Sequence, residues 1–280
     1  MLVSMSHEHL LCLDIETVPD RELLPADWPQ HEFVRKPIWH RVVAISFVEA
    51  RIERHAGGER YVVECCRTGG EASWDERRLL QAYWRHFAKR QARVVTWNGK
   101  GFDLPVLRLR AMMYGIPAEA WFTRGTKWEN YTQRYAPEWH CDLMEQLADY
   151  GAATRMGMED VALAMGLPGK IGGHGSEVAA MVAAGELDRV RAYCECDCLN
   201  LFALYVRHAL LTGRTDVEGH DASLDTLVAC LEEHRSERQH LGTFLDQWRS
   251  SRRPVPMHVA PASTVGVSYT EPGTTTPNLS

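Results

Sequence analysis

The sequence predicts an α/β domain: a mixed β-sheet with helices on its faces, followed by a C-terminal helical extension and a disordered tail. Three observations predict it. Apolar runs of strand length, rich in β-branched and aromatic residues, occupy much of the first hundred positions, and two of them flank Gly57-Gly58. A later run stops at Asn-Gly and passes into a helical pattern. From residue 142 onward the patterning is helical. An order of hairpin, strand–helix step and then helices suits a mixed sheet.

In chain order, "LLCLDIE" (residues 10–16) is a buried strand with an acidic end. "RVVAISFVEAR" (41–51) and "RYVVECCR" (60–67) form the hairpin. Residues 73–90 have helical periodicity, with Ser73 as the expected cap. "ARVVTWNG" (92–99) is the next strand. Asp103 opens a helix to about residue 114, with Pro105 in its first turn and Gly115 as its stop. "AWFTRGTKWENYTQRYAPEW" (120–139) reads as an excursion loop. Helices follow at 142–150, 158–165, 176–184 and 186–211, broken by stretches such as "GLPGKIGGHG". A first domain is expected to span residues 1–213. A linker and one further helix (214–250) follow, and then residues 251–280, whose Pro, Ser, Thr and Gly content predicts disorder.

The chain has 280 residues, 45% hydrophobic, enough for one substantial core with an appendage. A formal net charge of -6 excludes a strongly basic nucleic-acid coat protein, but not an enzyme that binds nucleic acid in a local groove. Residues 75–110 are distinctly basic and read first as solvated helix faces, second as a phosphate-facing rim. No apolar run approaches ~18 residues, and no signal peptide is evident, so no membrane span and a cytoplasmic location are expected. The eight cysteines are expected to be reduced, and no CxxC pair supports a structural zinc site.

Asp14 and Glu16 lie two apart on a strand, so both carboxylates project from one face. Like charges so placed repel, and a divalent cation would relieve them. Taken alone the pair also reads as a solvated strand end, and Asp103 alone as a plain N-cap. In "YCECDCLN" (193–200), Tyr193 and Asp197 are four apart and share a helix face. Cys194 and Cys198 lie on a neighbouring face and Cys196 points away. The thiols therefore cannot converge on one metal and read as small apolar fillers.

Together, "LDIET", "WNGKGFDLPVL" and "YCECD" resemble the three motifs of the DEDDy 3'-5' exonucleases, and most of all the predicted exonucleases related to the proofreading domain of family B DNA polymerases. The resemblance covers roughly residues 10–213 and implies an RNase H-like fold. It implies catalytic roles for Asp14, Glu16, Asp103, Tyr193 and Asp197, with the four acids holding two Mg2+ or Mn2+ ions. Tyr193 would orient the attacking water, and Thr17, Asn98 and Phe102 would contact the terminal nucleotide. Phe102 reads first as a core residue anchoring the turn and second as a base-stacking ring. Lys170 and His174 would at most touch phosphate.

The expected partner is a single-stranded nucleic acid 3' end, DNA before RNA, in a DNA-repair setting. The products would be nucleoside 5'-monophosphates. The alternatives are the same chemistry on RNA, a non-catalytic nucleic-acid-binding module on a nuclease fold, and docking of a protein partner through the C-terminal helix.

Overall fold

The computed structural model describes residues 7–29, 36–173, 175–251 and 258–259. Strands β1 (His9–Pro19), β2 (His40–His55) and β3 (Gly58–Thr68) come first. Helix α1 (Glu76–Arg90), β4 (Arg93–Thr96), α2 (Asp103–Met113), α3 (Glu119–Thr123) and β5 (His140–Asp142) follow. Then come α4 (Leu143–Leu147), α5 (Met158–Ala164), α6 (Val178–Ala183), α7 (Leu187–Leu211), α8 (Val217–His234) and α9 (Gln239–Arg249). The sheet order is β3-β2-β1-β4-β5. The β1, β2 and β3 meander is antiparallel, while β4 and β5 run parallel to β1. This is the expected mixed sheet between helices.

Several local expectations change. Asp75, not Ser73, caps α1, its carboxylate accepting the Arg78 N–H at 2.8 Å. Residues 140–142 are a strand, and the helix expected from residue 142 begins at Leu143. The excursion loop contains α3 and drives Trp121, Tyr131 and Trp139 into the core. The expected single C-terminal helix is two. Most of the expected disordered tail lies outside the described residues.

Alternation along β1 divides the core. Leu10 and Cys12 face a cluster shared with α7, α8 and α9, whereas Leu13 and Ile15 face α1 and α2. Helix α7 is buried nearly all round, as expected for a helix covered on both sides. That environment accounts for Cys196 and Cys198, which pack in the first cluster, and all eight cysteines are free thiols.

Strand β3 is a sheet edge, and an edge strand leaves alternate N–H groups unpaired. Here they are taken. Glu59 N–H donates to the Arg214 carbonyl at 2.9 Å, Tyr61 N–H to Ser223 Oγ at 2.9 Å and Val63 N–H to Thr226 Oγ1 at 3.1 Å. Leu224, Leu227, Leu231, Leu241, Phe244 and Trp248 join the same core from α8 and α9. Among the described residues, no helix is long and apolar enough to cross a membrane.

Removing everything after Gly213 should therefore abolish cooperative unfolding, as followed by far-UV circular dichroism. Leu227→Ala in the full chain should cost about 2–5 kcal/mol in urea titration.

Candidate active site

Three separate segments deliver the acids. On β1, Asp14 and Glu16 face α7. Asp14 pairs with Ser46 of β2, Glu16 pairs with Ala44, and the register shifts immediately after Glu16. The carboxylates of Asp14 and Glu16 and the Cys194 thiol each offer a ligand atom within 4.8 Å of the others.

Asp103 arrives through a tight turn after β4. Asn98 sits in the left-handed region at φ 63°, which asparagine tolerates better than most residues. The Asp142 carboxylate, at the end of β5, accepts the N–H groups of Asn98 and Lys100, both at 2.9 Å. A Cβ on Gly99 would stand 2.3 Å from Thr96 Oγ1, so the turn requires glycine there. Asp103 then opens α2, and the backbone N–H groups of Asp103 itself and of Ile15 lie near its carboxylate and favour its charge.

Helix α7 presents Tyr193 and Asp197 one turn apart, close enough for the phenol to act on the carboxylate. Both side chains are buried. Asp197 Oδ1 has no hydrogen-bond partner among the described residues.

Burial perturbs all four acids, and repulsion from the other site acids adds to it at Asp14 and Glu16. Burial first, then the charges of Asp103, Glu16 and Asp197, pushes Asp14 well above the carboxylate range. Burial, Asp197 and Asp103 do the same to Glu16, against the opposing cation of Lys170. Asp103 is raised to about 7 by burial, despite its backbone donors. Asp197 is also raised to about 7 by burial, with Lys170 and Tyr193 opposing. Burial and the adjacent acids push Tyr193 upward, so it stays protonated at neutral pH. Crowded hard oxygen donors with one orphaned carboxylate oxygen fit a divalent cation.

The expected substrate contacts are placed as follows. Thr17 Oγ1 lies 2.9 Å from His40 Nδ1, and Phe102 meets the same ring edge-on with centroids 4.9 Å apart. Phe102 also packs on the α1–α2 core. Asn98 shapes the turn. Lys170 acts on Glu16 and Asp197, and His174 lies outside the described residues.

Sequence reasoning missed three residues. Cys194, read as filler, approaches Asp14 Oδ2 at 3.3 Å as a neutral thiol donor, its pKa pushed up by burial and by Asp14. His40 bridges Thr17 and Phe102. Glu195 accepts the Thr68 N–H at 2.6 Å and the Thr68 hydroxyl at 2.8 Å, and it pairs with Arg238 and with His240 at 2.7 Å. The i, i+3 spacing of Cys194 and Asp197 was the one available signal for the thiol.

Residues 31–248 match the family described as "Predicted 3'-5' exonuclease related to the exonuclease domain of PolB". The matched stretch includes Asp103, Tyr193 and Asp197 and begins after Asp14 and Glu16. Among solved structures, the family B DNA polymerase from the hyperthermophilic archaeon Pyrobaculum calidifontis is similar at 16% identity and a TM-score of 0.45. The match covers 79% of this chain and 29% of the polymerase. No curated protein matches the chain.

Carboxyls raised in the folded state bind protons that the unfolded chain releases. Their contribution to stability is therefore greatest below about pH 4 and falls as pH rises toward about 7. Asp197→Asn should stabilise the metal-free protein at pH 8 by at least about 1 kcal/mol and have little effect at pH 4. Melting temperatures at the two pH values test this.

Proposed function

The chain belongs to the predicted 3'-5' exonucleases related to the exonuclease domain of PolB, and from that premise we propose that it hydrolyses phosphodiester bonds from the 3' end of single-stranded DNA. The observation that carries this reading is the gathering of buried Glu16, Asp103 and Asp197 with half-buried Asp14 in one site, each carboxyl raised above its ordinary range. Such a site is poorly suited to an ion-free state and well suited to divalent cations.

In this reading the four acids hold two Mg2+ or Mn2+ ions. When bound, such ions supply charge stabilisation to the attacking and leaving oxygens of an in-line displacement. Tyr193, kept protonated, orients the attacking water rather than deprotonating it. The water oxygen forms a bond to phosphorus as the bond to the 3' oxygen breaks. That oxygen leaves with the shortened strand and takes up a proton, the attacking water gives one up to solvent, and the product is a nucleoside 5'-monophosphate. Lys170 tempers the negative field beside Glu16 and Asp197. His40 holds Thr17 and Phe102 together, where they flank the terminal nucleotide.

Residues 1–213 carry the catalytic machinery in this reading. The inner faces of α8 and α9, the segment expected to dock a protein partner, close the β3 edge and support α7 through Glu195.

Degradation of 5'-labelled single-stranded DNA and RNA with Mn2+, Mg2+ or EDTA tests the proposal. A DNA ladder should shorten from the 3' end and require metal, whereas a ladder on RNA alone would move the substrate assignment. Asp14→Ala and Asp197→Ala should each lower turnover by more than about 100-fold while the domain stays folded. Tyr193→Phe should slow hydrolysis by about 10–100-fold and leave Mn2+ binding intact. Wild-type turnover in either acid variant would overturn the site assignment.

A further inference from the structure

Beside the turn that delivers Asp103 lies a cavity of about 350 Å3 that the proposed chemistry does not use. Lys100 borders it from the turn, Arg108 from α2 and Arg134 from the segment before β5, while Trp121 and Tyr131 form an aromatic wall. Its size falls at the lower end of pockets that hold small organic groups, ~300–1,000 Å3.

The charges in the cavity are unbalanced. Glu145 is its one lining acid, and it pairs with Arg134 at 2.8 Å and with Lys100 at 3.4 Å. Arg108 is left over. Its Nε donates to the Leu104 carbonyl of its own helix at 3.1 Å, and among the described residues no carboxylate forms an ion pair with it. The guanidinium is half-buried and lies 6.0 Å from the centre of the Trp121 ring. Trp121 is 2% exposed, and its indole N–H has no partner among the described residues. Buried His140, also lining the cavity, is held neutral, its pKa lowered to about 3 by burial and by the cations of Lys100 and Arg108. A positive, partly desolvated recess with a guanidinium that has no carboxylate partner among the described residues is chemically complementary to phosphate, which arginine can grip through two parallel hydrogen bonds.

We infer that this cavity binds a backbone phosphate of the substrate strand, upstream of the bond being cut, with Arg108 as its principal ligand. The inference rests on the proposed nuclease reading for the strand's direction, but the binding itself does not require hydrolysis. Arg108 lies five residues beyond Asp103, and Lys100 three before it, so a single turn and the first turns of one helix link the cavity's cations to Asp103. In a chain of net charge -6, a local recess of this kind would give a polyanion a preferred path.

The test is equilibrium binding of a fluorescein-labelled single-stranded DNA in EDTA, with each linkage in turn replaced by a neutral methylphosphonate. In the wild type, one linkage at a fixed distance from the 3' end should weaken binding about tenfold when neutralised. Arg108→Gln should weaken binding of the unmodified strand by a similar factor and abolish sensitivity at that linkage alone. Arg108→Lys should recover part of the affinity, and the salt dependence of the Gln variant should flatten by about 0.7 in log–log slope. Melting temperatures establish that the variants are folded.

Hydrolysis of the p-nitrophenyl ester of thymidine 5'-monophosphate, which has no upstream linkage, should be equal in wild type and Arg108→Gln. If the ester is cleaved but Arg108→Gln binds the strand like wild type, the phosphate subsite is wrong and the nuclease reading stands. If the ester and the strand both resist cleavage while the linkage-specific loss is seen, the subsite stands and the nuclease reading falls. Loss of affinity for inorganic phosphate without any linkage dependence would assign the cavity to a free anion and overturn the strand assignment.

Discussion

The crowding of four desolvated carboxyls, with repulsion felt most at Asp14 and Glu16, is the constraint around which this protein is organised. Left free, such groups would separate or move into water, and each would return to its ordinary acidity. They are held because they come from three separate rigid supports. Asp14 and Glu16 stand on the central strand, Asp103 on the first residue of a helix fixed by a turn, and Asp197 on a helix buried nearly all round. A strand alone could present two acids on one face, but only the two helices, α2 and α7, close the site.

The supports have supports of their own. Asp142 ends a strand of three residues and takes two N–H groups of the turn before Asp103, so β5 matters less as a ladder than as the base of that turn. Glu195, two positions before Asp197, joins α7 to the end of β3 and to the start of α9 through Thr68, Arg238 and His240. Burial opposes its charge, but His240, Arg238 and Thr68 together hold its carboxyl below the usual range. The site's anions are destabilised, whereas the anion that braces them is neutralised by partners.

The parts legible in the sequence are those governed by local periodicity. The two-residue spacing of Asp14 and Glu16 on a strand and the four-residue spacing of Tyr193 and Asp197 on a helix follow from backbone geometry. The mixed sheet follows from the order of patterns. Asp103 was not legible that way, because a first-turn aspartate is ordinary, and the family resemblance brought it forward. Strand β5 escaped because three residues, two of them polar, carry no alternation. His40 and Glu195 escaped because their partners are distant in sequence: Thr68 lies 127 residues from Glu195 and Thr17 lies 23 from His40. The apolar spacing of α8 and α9 was visible, but not the strand they would cover.

That covering has a consequence in time. The N–H of Tyr61 finds its acceptor in Ser223, 162 residues later. At about 5–20 residues per second, roughly 10–30 s of synthesis separates the two. Throughout that interval the antiparallel meander can already pair internally while its outer rim is uncapped and able to recruit a strand from another nascent chain. The risk of misassembly is therefore concentrated before α8 emerges from the ribosome, and it would be greatest where translation pauses ahead of residue 223.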